Sequence, residues 1–111
     1  MNLSRVLTIA ADHPAFAGHF PGSPILPGAV LLDEALRVIE LEPALDLTQW
    51  QIANAKFLEN VLPGDALTVE YTSPANGIIR FAVRIADRPG LARPALAGTL
   101  SMLPDSGAHD A

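Results

Sequence analysis

The chain has no cysteine, which excludes disulfides, thiolate nucleophiles and thiolate metal ligands. It has a single lysine, Lys56, and only 7 basic residues against 12 acidic ones, a formal net charge of −5. So acidic a balance argues against a general nucleic-acid partner, because phosphate binding needs a basic face. It lacks long hydrophobic runs as well. The apolar stretch Ala29–Leu32 is broken by Asp33 and Glu34, so no segment is expected to span a membrane. The start, Met1-Asn2-Leu3-Ser4-Arg5, has neither a charged region nor an apolar core of the signal-peptide kind. A cytoplasmic protein is the expectation.

What is present is 111 residues, half of them hydrophobic. That is enough for one domain, whose core is either a compact pair of layers or is shared with another subunit. The domain is expected over residues 1–103, with 104–111 as a flexible, small and polar C-terminal tail. Proline and glycine concentrate in one place, His13–Gly28, where Pro21, Pro24 and Pro27 stiffen a loop that carries His19. A long apolar run with acids follows.

Pattern assigns the elements in turn. Leu3–Ala10 reads as a strand. Ala29–Leu41 reads as a helix with Gly28 as its N-cap and Pro43 ending it. On the helical wheel Leu31, Leu32, Ala35, Leu36, Val38 and Ile39 make one broad apolar face, and Asp33, Arg37 and Glu40 a narrow polar stripe. Trp50–Val61 reads as a long strand, with a bulge or buried patch at Phe57-Leu58. Leu62–Asp65 is a turn. Ala66–Thr72 alternates, with Leu67, Val69 and Tyr71 on one face. Residues 73–77 form a hairpin loop, and Ile78–Ala86 alternates again through Ile79, Phe81, Val83 and Ile85. Glu70 is expected opposite Arg80 across that hairpin. Pro94–Leu103 is the last strand. One helix and a mostly antiparallel sheet make an α+β domain whose sheet can wrap the helix.

The stretch Gly18-His19-Phe20-Pro21-Gly22-Ser23-Pro24-Ile25-Leu26-Pro27-Gly28, with Asp33 after it, resembles a known active-site signature. It is that of the bacterial 3-hydroxyacyl-[acyl-carrier-protein] dehydratases of the FabA/FabZ type. In these an acid follows the histidine by fourteen places, and 33 − 19 = 14. Ala55–Asp65 is similar to the family's later lysine/arginine-Phe and Pro-Gly-Asp segment, so the resemblance runs from about Val6 to Met102. It implies a hotdog fold, a curved antiparallel sheet wrapped around one long central helix and paired as a homodimer or a multiple of dimers. The Asp at the acid position with Pro21 and Pro24 intact is closer to small stand-alone dehydratases of polyene-type acyl chains. The isomerising branch's N-terminal extension is absent, and no enoyl isomerisation is expected.

Dehydrating a 3-hydroxyacyl thioester needs a base of near-neutral pKa, a polarised carbonyl and an acid at the leaving oxygen. An imidazole fits the first need. A helix-start N–H beside a glycine fits the second. A carboxyl group fits the third, provided it is buried. The resemblance makes His19 the base, Asp33 the acid and the Gly28 N–H the carbonyl donor, with His19 of one subunit beside Asp33 of the other. It places Phe20, Pro21, Gly22, Leu26, Val30 and Phe57 against the substrate. Neither a metal nor a cofactor is implied beyond the substrate's own phosphopantetheine.

Plainer readings stand beside these. Asp33 and Arg37 are an i,i+4 pair and could be a solvated ion ladder with Glu40. Glu34 is the fallback acid. His13 reads as a turn residue, and Trp50 and Phe57, by type alone, as core. Arg88 and Arg93 are candidate docking residues for an acidic carrier protein or its phosphate. The family's usual glutamine four places after the acid is Arg37 here, a cation that works against proton donation by Asp33. The alternative functions are a hotdog acyl thioesterase and a non-catalytic acyl-carrier-binding subunit.

Overall fold

A computed structural model describes residues 2–16, 25–43, 45–85 and 94–104. Among these residues the chain forms five strands: β1 (Asn2–Leu7), β2 (Trp50–Phe57), β3 (Leu67–Thr72), β4 (Ile78–Ile85) and β5 (Leu96–Met102), with period-two burial strict in β3 and β4. They form one antiparallel sheet in the order β1-β3-β4-β5-β2. The single α-helix among the described residues, α1 (Gly28–Ile39), packs mainly over β1 and β3. This is the α+β hotdog arrangement that the sequence implies.

The centre of the sheet is a meander built by local chemistry. Asn76 and Gly77 both take positive φ, 55° and 72°, as a tight hairpin between twisted strands requires. Leu67, Val69 and Tyr71 of β3, Ile79, Phe81, Val83 and Ile85 of β4, and Leu96 and Leu100 of β5 are buried. From the helix, Leu31, Ala35, Val38 and Ile39 close on them, while Leu32 and Leu36 are partly buried. At the turn before β3, the Leu62 N–H donates to Asp65 Oδ2 at 2.8 Å, and Gly64 sits at φ 85°.

Four expectations change. The helix begins one residue earlier, capped by Pro27, whose carbonyl accepts from the N–H groups of Val30 and Leu31 at 3.0 and 3.1 Å. It ends at Ile39, well before Pro43, because the chain tightens into i→i+3 bonds: Leu41 N–H to Val38 O at 3.1 Å and Glu42 N–H to Ile39 O at 3.0 Å. β2 stops at Phe57, and its bulge lies between Ile52 and Asn54. Ile52 faces Leu100 and Asn54 faces Thr99, so the bulge swaps faces partway along the strand. Trp50, Ile52, Ala55 and Phe57 thereby share the helix side, and Asn54 and Lys56 the outer side. Finally, Glu70 lies opposite Ala82 and pairs with Arg84 at 2.9 Å, leaving Arg80 to donate its backbone N–H to Thr72 Oγ1. The turn is centred on Asn76-Gly77, beyond the midpoint of 73–77, which moves every partner along.

One polar cluster ties the layers together. Tyr71, a buried residue, donates its hydroxyl to Glu42 Oε1 at 2.7 Å and accepts there from Arg5 Nε at 3.0 Å. It joins β1, β3 and the end of α1. Burial first, then the bond to Glu42, raises the Tyr71 pKa from its ordinary 10.0. The protonated phenol therefore contributes stability below pH 10 that is lost as pH rises through the folded value. Tyr71→Phe should lower stability by about 1–2 kcal/mol at neutral pH and reduce the further loss above pH ~10, as read by urea unfolding across pH.

Gly98 supplies a second test. A Cβ there would lie 2.6 Å from the Asn54 carbonyl oxygen and 2.6 Å from the buried Phe81 ring. Neither can move cheaply, so Gly98→Ala should cost about 1–3 kcal/mol in the same measurement, and an unchanged midpoint would contradict this packing.

Candidate active site

The helix start is the organising point. Pro27, with φ −58° and ψ 140°, turns an extended segment into α1. The first amides of a helix have no acceptor within it and lie at the positive end of its dipole. The approach is anchored, since the Leu26 N–H donates to Val61 O at 2.9 Å and Leu26 itself is 4% exposed in the core. At Gly28 a Cβ would stand 2.7 Å from Cδ1 and 2.8 Å from Cε1 of Phe57, so the ring lies on bare backbone. Phe57 is nevertheless 52% exposed, which corrects its reading as core. Val30 is partly buried against the core.

Asp33 stands on the exposed stripe of α1. Its Oδ2 meets Arg37 Nε at 3.2 Å, with the two side chains 64% and 69% exposed. That is the expected ion pair. So open a pair is screened by water and can separate readily. Asp33, ahead of Glu34 and Glu40, raises the Arg37 pKa and keeps the guanidinium charged. Glu34, the fallback acid, is half-buried one position round the helix.

His13 behaves as a turn residue. Its Nδ1 accepts from the Ala15 N–H at 3.0 Å, and its carbonyl accepts from the Phe16 N–H at 3.0 Å, around the 3₁₀ turn Pro14–Phe16. His19, Phe20, Pro21 and Gly22, and the docking candidates Arg88 and Arg93, lie outside the described residues. Among the described residues no three His, Asp or Glu side chains cluster as metal ligands. None of their helices is long and apolar enough to cross a membrane.

Sequence reasoning missed an apolar cavity of about 230 Å³ between helix and sheet edge, lined by Leu36, Leu47, Trp50, Gln51, Ile52 and Leu100. Leu47 is held there by a 3₁₀ turn, Leu47–Gln49, where Asp46 Oδ1 accepts from the Thr48 N–H at 3.0 Å and its hydroxyl at 2.6 Å. Those bonds lower the Asp46 pKa. The signal for the cavity was the broad apolar helix face carrying Leu36. The bulge hid the rest. The helix start at Gly28, the exposed carboxylate of Asp33 and the Leu36 side of this cavity all belong to α1.

Both the fold and the sequence have relatives among known proteins. A protein of Erwinia carotovora subsp. atroseptica shares the fold with a TM-score of 0.71 at 27% identity, over 95% of this chain and 85% of that one. The dehydratase heterocomplex ApeI:P of Xenorhabdus doucetiae gives a TM-score of 0.66 at 22% identity, over 91% and 86% of the two chains. In sequence the chain is 34% identical over 90 residues to the 3-hydroxyacyl-[acyl-carrier-protein] dehydratase FabZ of Actinobacillus pleuropneumoniae. It is 36% identical over 90 residues to that of Proteus mirabilis. Each match takes in 71% of this chain and spans 58% and 60% of the respective relatives. Residues 2–93, which carry both the helix start and the edge strand, match the family model described as ApeI dehydratase, and the chain belongs to this ApeI-like family.

Proposed function

We propose that the protein dehydrates a (3R)-hydroxyacyl thioester, carried on an acyl carrier protein, to the trans-2-enoyl thioester and water. The observation that carries this reading is the bare Gly28 backbone at the start of α1, with Asp33 on the same helix, in a chain of a dehydratase family. The relatives named above are 3-hydroxyacyl-[acyl-carrier-protein] dehydratases.

In this reading the thioester carbonyl accepts from the Gly28 N–H, which stabilises the negative charge that develops when C2 loses its proton. His19 takes that proton. The C2–H electrons become the C2–C3 double bond, the C3–O bond breaks, and the oxygen leaves as water with a proton from Asp33. Asp33 lies five residues along α1 from Gly28, about 7.5 Å of helix rise. It must first release Arg37, which the weakness of an open ion pair permits. No metal or added cofactor takes part; the substrate brings its own phosphopantetheine arm. Arg88 and Arg93 would receive the acidic carrier.

The active unit is a homodimer or a multiple of dimers. The support is that, among the described residues, β2 is an edge strand and the apolar row on its helix side is uncovered, with Ile52 45% and Met102 54% exposed. A second copy would bury this row and with it the exposed Asp33. The acid needs that burial to act as a proton donor.

Enoyl-thioester absorbance reads the reaction directly, and release of free thiol would instead indicate a thioesterase. Asp33→Asn should lower kcat by 10²-fold or more, within the range for general acids, while Glu34→Gln should change it less than about threefold. Exchange of those two outcomes would transfer the acid role to Glu34. Mixing His19→Ala and Asp33→Asn subunits tests the shared site. Each is inactive alone, and random re-pairing should restore about a quarter of wild-type activity if histidine and aspartate come from different copies. No recovery in demonstrably mixed dimers would place both groups in one chain. An oligomer that assembles only with a second, different subunit would overturn the homodimer.

A further inference from the structure

Two phenylalanines in this fold lie on glycines, and the contrast between them is informative. Phe81 meets Gly98 in the core, where a Cβ would come within 2.6 Å of its ring, and it is 4% exposed. That contact serves packing. A Cβ on Gly28 would likewise come within 2.7 Å of Phe57, yet 52% of that residue remains exposed. It is the sole aromatic among the exposed large hydrophobic residues described. A ring left half in water forgoes much of the benefit of burial, so packing alone does not account for it.

Its backbone is nonetheless fixed in place. The bulge between Ile52 and Asn54 turns Phe57 to the helix side of the sheet, opposite Leu96. Directly after it, the N–H groups of Leu58 and Glu59 donate to Ala95 O at 2.7 and 3.3 Å. Further on, Val61 O holds the Leu26 N–H just before the helix. The strand end and the helix start are thus clamped to each other, with the ring between them. The exposed part of the Phe57 ring therefore stands beside the start of α1.

We propose that Phe57 is a specificity-determining residue, a steric filter at the thioester end of the substrate that admits chains unbranched at C2 and refuses those with a methyl group there. The inference rests on the dehydratase reading, in which the carbonyl sits at Gly28. C2 is the next carbon, so it is the atom whose substituents come nearest the ring. A 2-methyl-3-hydroxyacyl thioester keeps one C2 hydrogen and could still lose water. Exclusion is therefore a matter of space and not of chemistry. The filter acts on branching beside the carbonyl, whereas the cavity near Leu36 and Ile52 lies against other residues.

The test compares unbranched and 2-methyl 3-hydroxyacyl thioesters of equal chain length with the wild type, Phe57→Leu and Phe57→Ala. The ratio of kcat/KM for the unbranched over the methylated substrate should be about 10²-fold in the wild type, a typical value for one methyl group at a tight wall. It should fall about tenfold or more in Phe57→Ala, with Phe57→Leu between the two. Binding of the corresponding unreactive acyl amide analogues, which lack the 3-hydroxyl but keep the carbonyl and the C2 substituent, measured by calorimetry, should follow the same order. A wild type that accepts both substrates equally, or a ratio that stays within about twofold across the variants, overturns the filter. Should no substrate turn over, the dehydratase reading fails separately. The analogues then decide the filter alone, which is overturned if neither binds or if their affinities do not separate.

Discussion

One helix has to cover the concave side of five strands, and it is too small to do so. Twelve residues of α-helix are about 18 Å long and about 10 Å across, whereas five strands at their usual spacing are over 20 Å wide. α1 therefore settles over β1 and β3, and its buried residues meet the even alternation of the meander there. Among the described residues, the β2 end of the same face has no cover. The exposed Ile52, Phe57 and Met102 and the cavity beside Leu36 all follow from that shortfall. So does the pressure to pair with another subunit, since an apolar row beside an unpaired strand is costly in water and open to association.

The ionic contacts divide along the same line. On the covered side, Arg5, Tyr71 and Glu42 form a cluster around a nearly buried hydroxyl that locks three segments together. Removing any one member leaves the others poorly satisfied, so the cluster specifies the fold. On the open faces, Asp33–Arg37 and Glu70–Arg84 are solvated pairs that hold little energy. The pair on α1 can therefore be spent on chemistry with little effect on the fold.

The meander was legible in the sequence because its alternation is strict and its turn carries Asn76-Gly77. The helix was legible from its apolar face, with errors confined to the ends. There a proline N-cap and a tightened last turn override the usual capping signals. The edge strand was misread because a bulge erases period two: Ile52 and Asn54, two apart, face opposite ways. Of the candidate site, the motif identified Gly28 and Asp33 from residue order alone. The contact of Gly28 with Phe57 could not be read from order, since it joins residues 29 apart through a strand whose register the bulge had shifted. The Tyr71 cluster was equally hidden, as each of its members reads as an ordinary strand or loop residue. His19 and its neighbours lie outside the described residues, so the motif remains the basis for them.

The twin glycine–phenylalanine contacts bear on how mutational surveys of this protein would be interpreted. Around Gly98 a carbonyl and an enclosed ring leave an intruding methyl nowhere to go. Around Gly28 the three nearest atoms all belong to the flank of one half-solvated ring, so an intruding methyl disturbs that ring more than the fold. A screen scored on yield or melting temperature would register the first glycine as indispensable and pass over the second. Tolerance maps built on folding alone would thus leave blank the position where the proposed chemistry has the least room.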